Sequence, residues 1–245
     1  MVCRGNSDDD PSNPDATALW ERLKAWVERL GLDAEMEPAE KRTLYAPLGS
    51  LDEKRRVRAT WEAEGIAIMA WALGRFALPR HDEEVNPYEL TDSLWFLNNE
   101  AIEILRSPQL RSAEELHACR EMLYAIHCRV REYLRVGSAR SIAHWIEPDW
   151  LRVLGIESPL GPREDLLIGG AEIAEADRKK VQRCEWAVCE RHRAIVWLVG
   201  EEGAGLLTGP GGHLARLPGP WLQEGPCRPR RRTMHFTLPL RWSTA

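Results

Sequence analysis

Between Ser112 and Gly137 the chain carries a full set of local instructions for one amphipathic helix. Ser112 and Glu115 have the spacing of a capping box, and Gly137 offers a left-handed stop. Leu116, Cys119, Leu123, Ile126, Val130 and Leu134 fall on one face between them. A helix that is apolar along one stripe must bury it against another element. This segment therefore commits the chain to packing helix on helix.

The neighbouring segments agree. Asp15 is placed to cap a helix carrying Leu19, Leu23, Trp26, Val27 and Leu30 and stopped at Gly31, and a polar linker then runs to Gly49. Ser50 with Glu53 repeats the capping-box spacing and opens a helix to Gly74. His81–Pro87 reads as a loop, Tyr88–Arg106 as a helix ended by Pro108, and Trp150–Leu154 as a short helix. Leu166–Ile168 and Ala171–Ile173 flank Gly169–Gly170, a pair suited to a primed two-residue turn, so a small hairpin is predicted. A last long helix is predicted from Glu175 to Val199. The expected fold is mainly α, a single helical domain of about five main helices with one β-hairpin. Residues 1–14 read as a flexible acidic lead, 15–202 as the helical domain, and 203–245 as an irregular Gly/Pro/Arg-rich tail.

Two of these helices carry more than a core stripe. In the last one, Val181, Cys184, Val188, His192, Ile195 and Val199 form one stripe, while Trp186, Glu190, Arg193 and Trp197 form a second on the opposite side. In the helix after Ser50, Val57, Trp61, Glu64, Ile68 and Trp71 share a face. Each helix sets a glutamate seven residues before a tryptophan. A carboxylate in a Trp-lined pocket would have a raised pKa and suit acid–base chemistry or ligand binding, with His192 in support. The plainer alternative is a buried glutamate paired with Arg58 or Arg193 to fix the helix packing. The candidate polar cluster is thus Glu64, Glu190, His192, Arg193 and Arg58, and the candidate pocket aromatics are Trp61, Trp71, Trp186 and Trp197.

Tryptophan supplies 11 of the 18 aromatic residues, which makes this doubled Trp/Glu pattern the most informative in the chain. The net charge of −5 argues against nucleic-acid binding by bulk charge. The basic run Arg228–Arg232 lies in a segment with eight Gly and five Pro between Gly200 and Pro229, and a solvated tail is favoured there over phosphate contacts. His127, Cys189 and His192 lack a zinc-site motif, so no metal is expected. The glycines after Val199 do not have dinucleotide-loop spacing, so no cofactor is expected either. No apolar run approaches the ~20 residues of a membrane span. Six cysteines without CxxC spacing read as reduced thiols of a cytoplasmic protein. The 28 Arg against 5 Lys point to a GC-rich bacterial coding bias.

Val57–Gly74, VRATWEAEGIAIMAWALG, resembles the Trp-x-x-Glu and Trp-Ala-Leu-Gly elements of the bacterial domain-of-unknown-function family numbered 4272. Val188–Gly200, VCERHRAIVWLVG, resembles the same family's Glu-Arg-His-x-Ala-x-x-Trp-Leu signature. The resemblance spans about residues 57–200, implies a mostly helical domain and carries over no activity. After Trp197–Leu198 the chain departs from the family pattern and runs GEEGAGLLTGPGGHLARLPG, which reads as a shifted frame or a late extension.

The leading functional expectation is a non-enzymatic protein that binds another protein in an accessory or immunity-like role. The alternatives are an enzyme or small-ligand binder using the Trp-lined Glu/His cluster, and weak nucleic-acid binding through the Arg-rich tail.

Overall fold

A computed structural model describes residues 11–99, 101 and 108–200. It is mainly helical with one two-stranded hairpin. The chain runs through α1 (Pro14–Arg29), α2 (Leu32–Glu35), α3 (Pro38–Leu44), α4 (Glu53–Ala72), α5 (Pro87–Ser93) and α6 (Ala113–Val136). A 3-10 turn (Ala143–Trp145) and α7 (Pro148–Leu154) follow, then β1 (Leu167–Ile168), β2 (Ala171–Glu172) and α8 (Arg178–Val199). The first ten residues, the reading of 203–245 and the Arg228–Arg232 run lie outside the described residues.

The Ser112 capping box is present in both directions, and Gly137 takes φ 69° at the other end of α6. The hairpin also forms as expected, with Leu167 opposite Glu172 and Gly169 and Gly170 both at positive φ. Three boundaries differ. Asn13 rather than Asp15 caps α1, because Pro14 suits the first helical position. Asp52 rather than Ser50 caps α4, accepting the Arg55 N–H. α8 starts at Arg178, three residues beyond the expected start, capped by Asp177, which accepts the Lys179 and Lys180 N–H groups.

Two corrections are larger. The predicted polar linker after Gly31 contains α2 and α3, and Leu44 is buried with Leu23 and Val27 in a small N-terminal core. The helix predicted over Tyr88–Arg106 stops at Ser93, where Trp95 and Leu97 adopt left-handed φ angles of 52° and 62°. Tertiary contact explains the break. Phe96 packs edge-on against Trp26 at 5.4 Å, and the Trp26 indole N–H donates to the Asn98 carbonyl at 3.0 Å. Those contacts accompany a backbone conformation that costs about 1–2 kcal/mol per left-handed residue.

The main core lies where α8 packs against both α4 and α6. Ile68, Trp71, Cys119, Ile126, Val130, Val181, Val188 and Ile195 meet there with Leu166, Ile168 and Ile173 of the hairpin region. Trp61 meets Trp186, and Gly65 meets Glu190 and Ala194, so α4 and α8 advance in the same direction. At Gly65 a Cβ atom would stand 3.4 Å from the Ala194 Cβ. Among the described residues no helix is long and apolar enough to cross a membrane.

Candidate functional site

The parallel pair α4–α8 carries nearly all of the predicted candidates, and it sorts them by direction. Glu190, Arg191, His192 and Arg193 follow one another around the turn, so each faces a different neighbour.

Arg191 points inward and is fully buried. Its Nε and Nη2 hold Glu64 Oε2 at 2.8 and 2.6 Å, and the other Glu64 oxygen accepts the Val85 N–H at 2.9 Å. The remaining guanidinium N–H groups donate to the carbonyls of Arg80 and Glu83, both at 2.5 Å, and more distantly to Pro79 at 3.4 Å. One buried pair thus clamps the Pro79–Val85 loop onto the two helices. The loop is tied onward to the hairpin. Asp82 accepts the Gly169 N–H at 2.8 Å, and His81 Nε2 lies 2.6 Å from the Leu167 carbonyl. A carbonyl only accepts, so that ring nitrogen carries the proton. Burial lowers the His81 pKa below 6.5 despite Asp82 and the carbonyl, which work against it. Burial pushes Asp82 upward, but the Gly169 N–H, His81 and Arg80 outweigh it and hold the carboxyl below 3.8.

Glu64 therefore has a partner, but not Arg58. Arg58 is exposed nearly two turns back and pairs loosely with Glu62 at 3.6 Å. It lies on the same helix but six residues from Glu64, outside i,i+3 or i,i+4 reach. The burial of Arg191 instead brings a cation across from the other helix. Trp71, also a predicted pocket residue, is buried in the core, with the Arg111 guanidinium 5.0 Å from its ring.

Glu190 and Arg193 face outward. Their ion pair closes at 2.6 Å, as the i,i+3 spacing predicts. Burial raises the Glu190 pKa, opposed by Arg193, while Glu62 adds to the rise. On either side stand Trp186, 43% exposed, and Trp197, 42% exposed. Trp61 crosses Trp186 edge to face at 5.3 Å, and Val57 lies exposed one turn before it. Arg58, Trp61, Trp186, Glu190, Arg193 and Trp197 therefore share the outward side of the helix pair. Glu64 and Trp71 lie inside it.

His192 faces α6. Its ring lies 5.5 Å from Tyr124 and 5.7 Å from His127, whose buried Nε2 stands 4.0 Å from Glu185. The predicted convergence of Glu64, Glu190 and His192 on one pocket is not what the helices build. Among the described residues no group of three His, Cys, Asp or Glu side chains is arranged to hold a metal. Cys119 and Cys184 are buried thiols, both pushed up to about 12 by desolvation.

Sequence reasoning missed two buried arginines. Arg191 was passed over for its neighbour Arg193. Arg129, equally buried on α6, grips Asp165 with Nε and Nη2 at 2.7 and 2.6 Å and also donates to the Ser138 carbonyl. A signal was present. Arg191 lies about 20° beyond Cys184 and about 40° from Ile195 on the helical wheel, at the edge of the apolar stripe. Comparison with known proteins adds nothing to the site: no family model, no curated protein and no solved structure matches the chain.

Proposed function

We propose that this is a non-catalytic protein that acts by binding another macromolecule through the outward face of α4 and α8. The observation that carries the reading is the pair of exposed tryptophans, Trp186 and Trp197, flanking the Glu190–Arg193 ion pair. Single exposed apolar residues are ordinary. Here Val57, Trp61, Trp186 and Trp197 cluster on one side of a helix pair whose other sides are packed. Tryptophan and arginine are the residues most enriched among those that dominate binding energy. The polar groups beside them are paired but partly solvated, as in the rim of an interface. By contrast, Glu64 is consumed in a buried ion pair that holds a loop. The compartment we take to be the cytoplasm, since Cys119, Cys128, Cys184 and Cys189 are all free thiols. The same two helices carry the resemblance to family 4272, which we keep as a proposal beside this one.

The test is site-directed photo-crosslinking of the full chain in the cells that carry its gene. A photoreactive residue replaces Arg183, one turn before Trp186 on the same face, and a control replaces Arg152, exposed on α7. A discrete adduct from position 183 and none from 152 is expected. Equal labelling from both positions would defeat the reading.

A further inference from the structure

Trp186, Glu190, Arg193 and Trp197 are spaced four, three and four residues apart. That is the alternation of the two seam positions of a coiled coil. The order has a second property. The midpoint of Trp186 and Trp197 falls between residues 191 and 192, and so does the midpoint of Glu190 and Arg193. Read backwards about that point, each tryptophan exchanges with a tryptophan and the acid exchanges with the base. Such a stripe is complementary to its own copy turned through a two-fold axis.

We propose that the occupant of this face is a second copy of the chain, paired through antiparallel α8 helices across a two-fold axis at residues 191–192. This rests on the docking face proposed above and names its partner. In that arrangement Trp186 packs against Trp197 of the second copy at both ends of a seam about 16 Å long. At the centre the two Glu190–Arg193 pairs close into a ring of four alternating charges. Each carboxylate then lies between its own Arg193, already at 2.6 Å, and the arginine of the other copy. A parallel pairing would set Glu190 against Glu190 and Arg193 against Arg193, and like charges face to face exclude it. Val57 and Trp61 on α4 widen the apolar contact beside Trp186, where the tryptophan rings already touch at 5.3 Å. No other exposed stripe among the described helices combines two tryptophans with a central ion pair in this order.

The symmetry makes an unusual test possible. E190R gathers four positive groups at the axis and R193E gathers four negative ones, so each variant alone should sediment as a monomer where the wild-type full chain is dimeric. An equimolar mixture of E190R and R193E sets two arginines of one copy against two glutamates of the other. Every contact across the axis is then again between opposite charges, and the mixture should return to the dimer mass. The double variant E190R/R193E restores the alternating ring and should do the same. Recovery on mixing cannot come from a misfolded chain. The self-pairing is overturned if the wild-type chain stays monomeric up to roughly 1 mM, or if the mixture stays monomeric while the wild type pairs. The crosslink separates this failure from that of the docking face. An adduct of twice the 28.0 kDa chain mass supports both proposals. An adduct of another mass removes self-pairing alone, and labelling no greater than the control removes both.

Discussion

Helix α8 contributes Arg191 and Arg193, two residues apart, to two arginine–glutamate pairs that differ in everything except composition. Arg191 and Glu64 meet between two helices almost wholly out of solvent, and every Glu64 oxygen and guanidinium nitrogen has a partner. Arg193 and Glu190 meet on the outer surface within one turn of a single helix. A buried ion pair recovers its desolvation cost only when its remaining hydrogen bonds are filled, and here backbone groups of the Pro79–Val85 loop fill them. The outer pair needs no such completion and can exchange partners. The inner pair therefore fixes the architecture, while the outer one is left available for contact.

Breaking the inner pair should produce the largest effect in the molecule. Arg191→Met leaves the Glu64 carboxylate buried without its cation and frees three loop carbonyls. A loss of about 3–5 kcal/mol is expected from urea unfolding. Glu64→Leu together with Arg191→Met removes both charges, and the double variant should be more stable than Arg191→Met alone. If Arg191→Met costs under about 1 kcal/mol, the clamp is not structural and the comparison fails.

A second effect tests how far the inner network reaches. His81 sits in the clamped loop with a pKa below 6.5. Below pH 6.5 the unfolded chain takes up a proton that the folded loop resists. The stability associated with neutral His81 is thus complete above that pH and is lost as the pH falls toward the folded value. His81→Gln keeps a donor for the Leu167 carbonyl and removes the titration. Its stability profile should be flatter than wild type just below pH 6.5. Asp82 and Asp165 titrate lower: burial pushes both up, but hydrogen bonds and neighbouring cations hold them below 3.8. Their contribution is present above that value and disappears as the pH falls through their folded pKa, so the two windows separate in one acid titration. Superimposable profiles for His81→Gln and wild type between pH 7 and pH 5 would show that the loop is hydrated.

How much of this was legible follows from range. Local signals worked where the structure is local. The Ser112–Glu115 box, the Gly137 stop, the Gly169–Gly170 turn and the i,i+3 pairing of Glu190 with Arg193 all depend on residues a few positions apart. The outward grouping of Trp186, Glu190, Arg193 and Trp197 was legible too, because a helix fixes it by geometry alone. What failed was long-range. Glu64 and Arg191 lie 127 positions apart, so no local spacing pairs them, and Arg58 on the same helix stood as the candidate instead. The break after Ser93 comes from Phe96 and Asn98 reaching Trp26 some 70 positions away. Burial of arginine is the hardest inference of all, since the same residue is solvated by default. The tell was an arginine at the edge of an apolar stripe.

The outer pair should respond least, and in the opposite sense to acid. Burial raises the Glu190 pKa above 4.5, so the folded state binds its proton more readily than the unfolded chain does. Ionised Glu190 therefore weighs slightly against folding at neutral pH, and that penalty fades as the pH falls through the raised value. Glu190→Gln removes both this penalty and the charge on the Arg193 hydrogen bond. At concentrations where the chain is monomeric, this gain and this loss nearly cancel and stability should change by less than about 1 kcal/mol. A change as large as that for Arg191→Met would mean that the outer pair also holds the fold. It would then be too rigid to trade its partner at an interface.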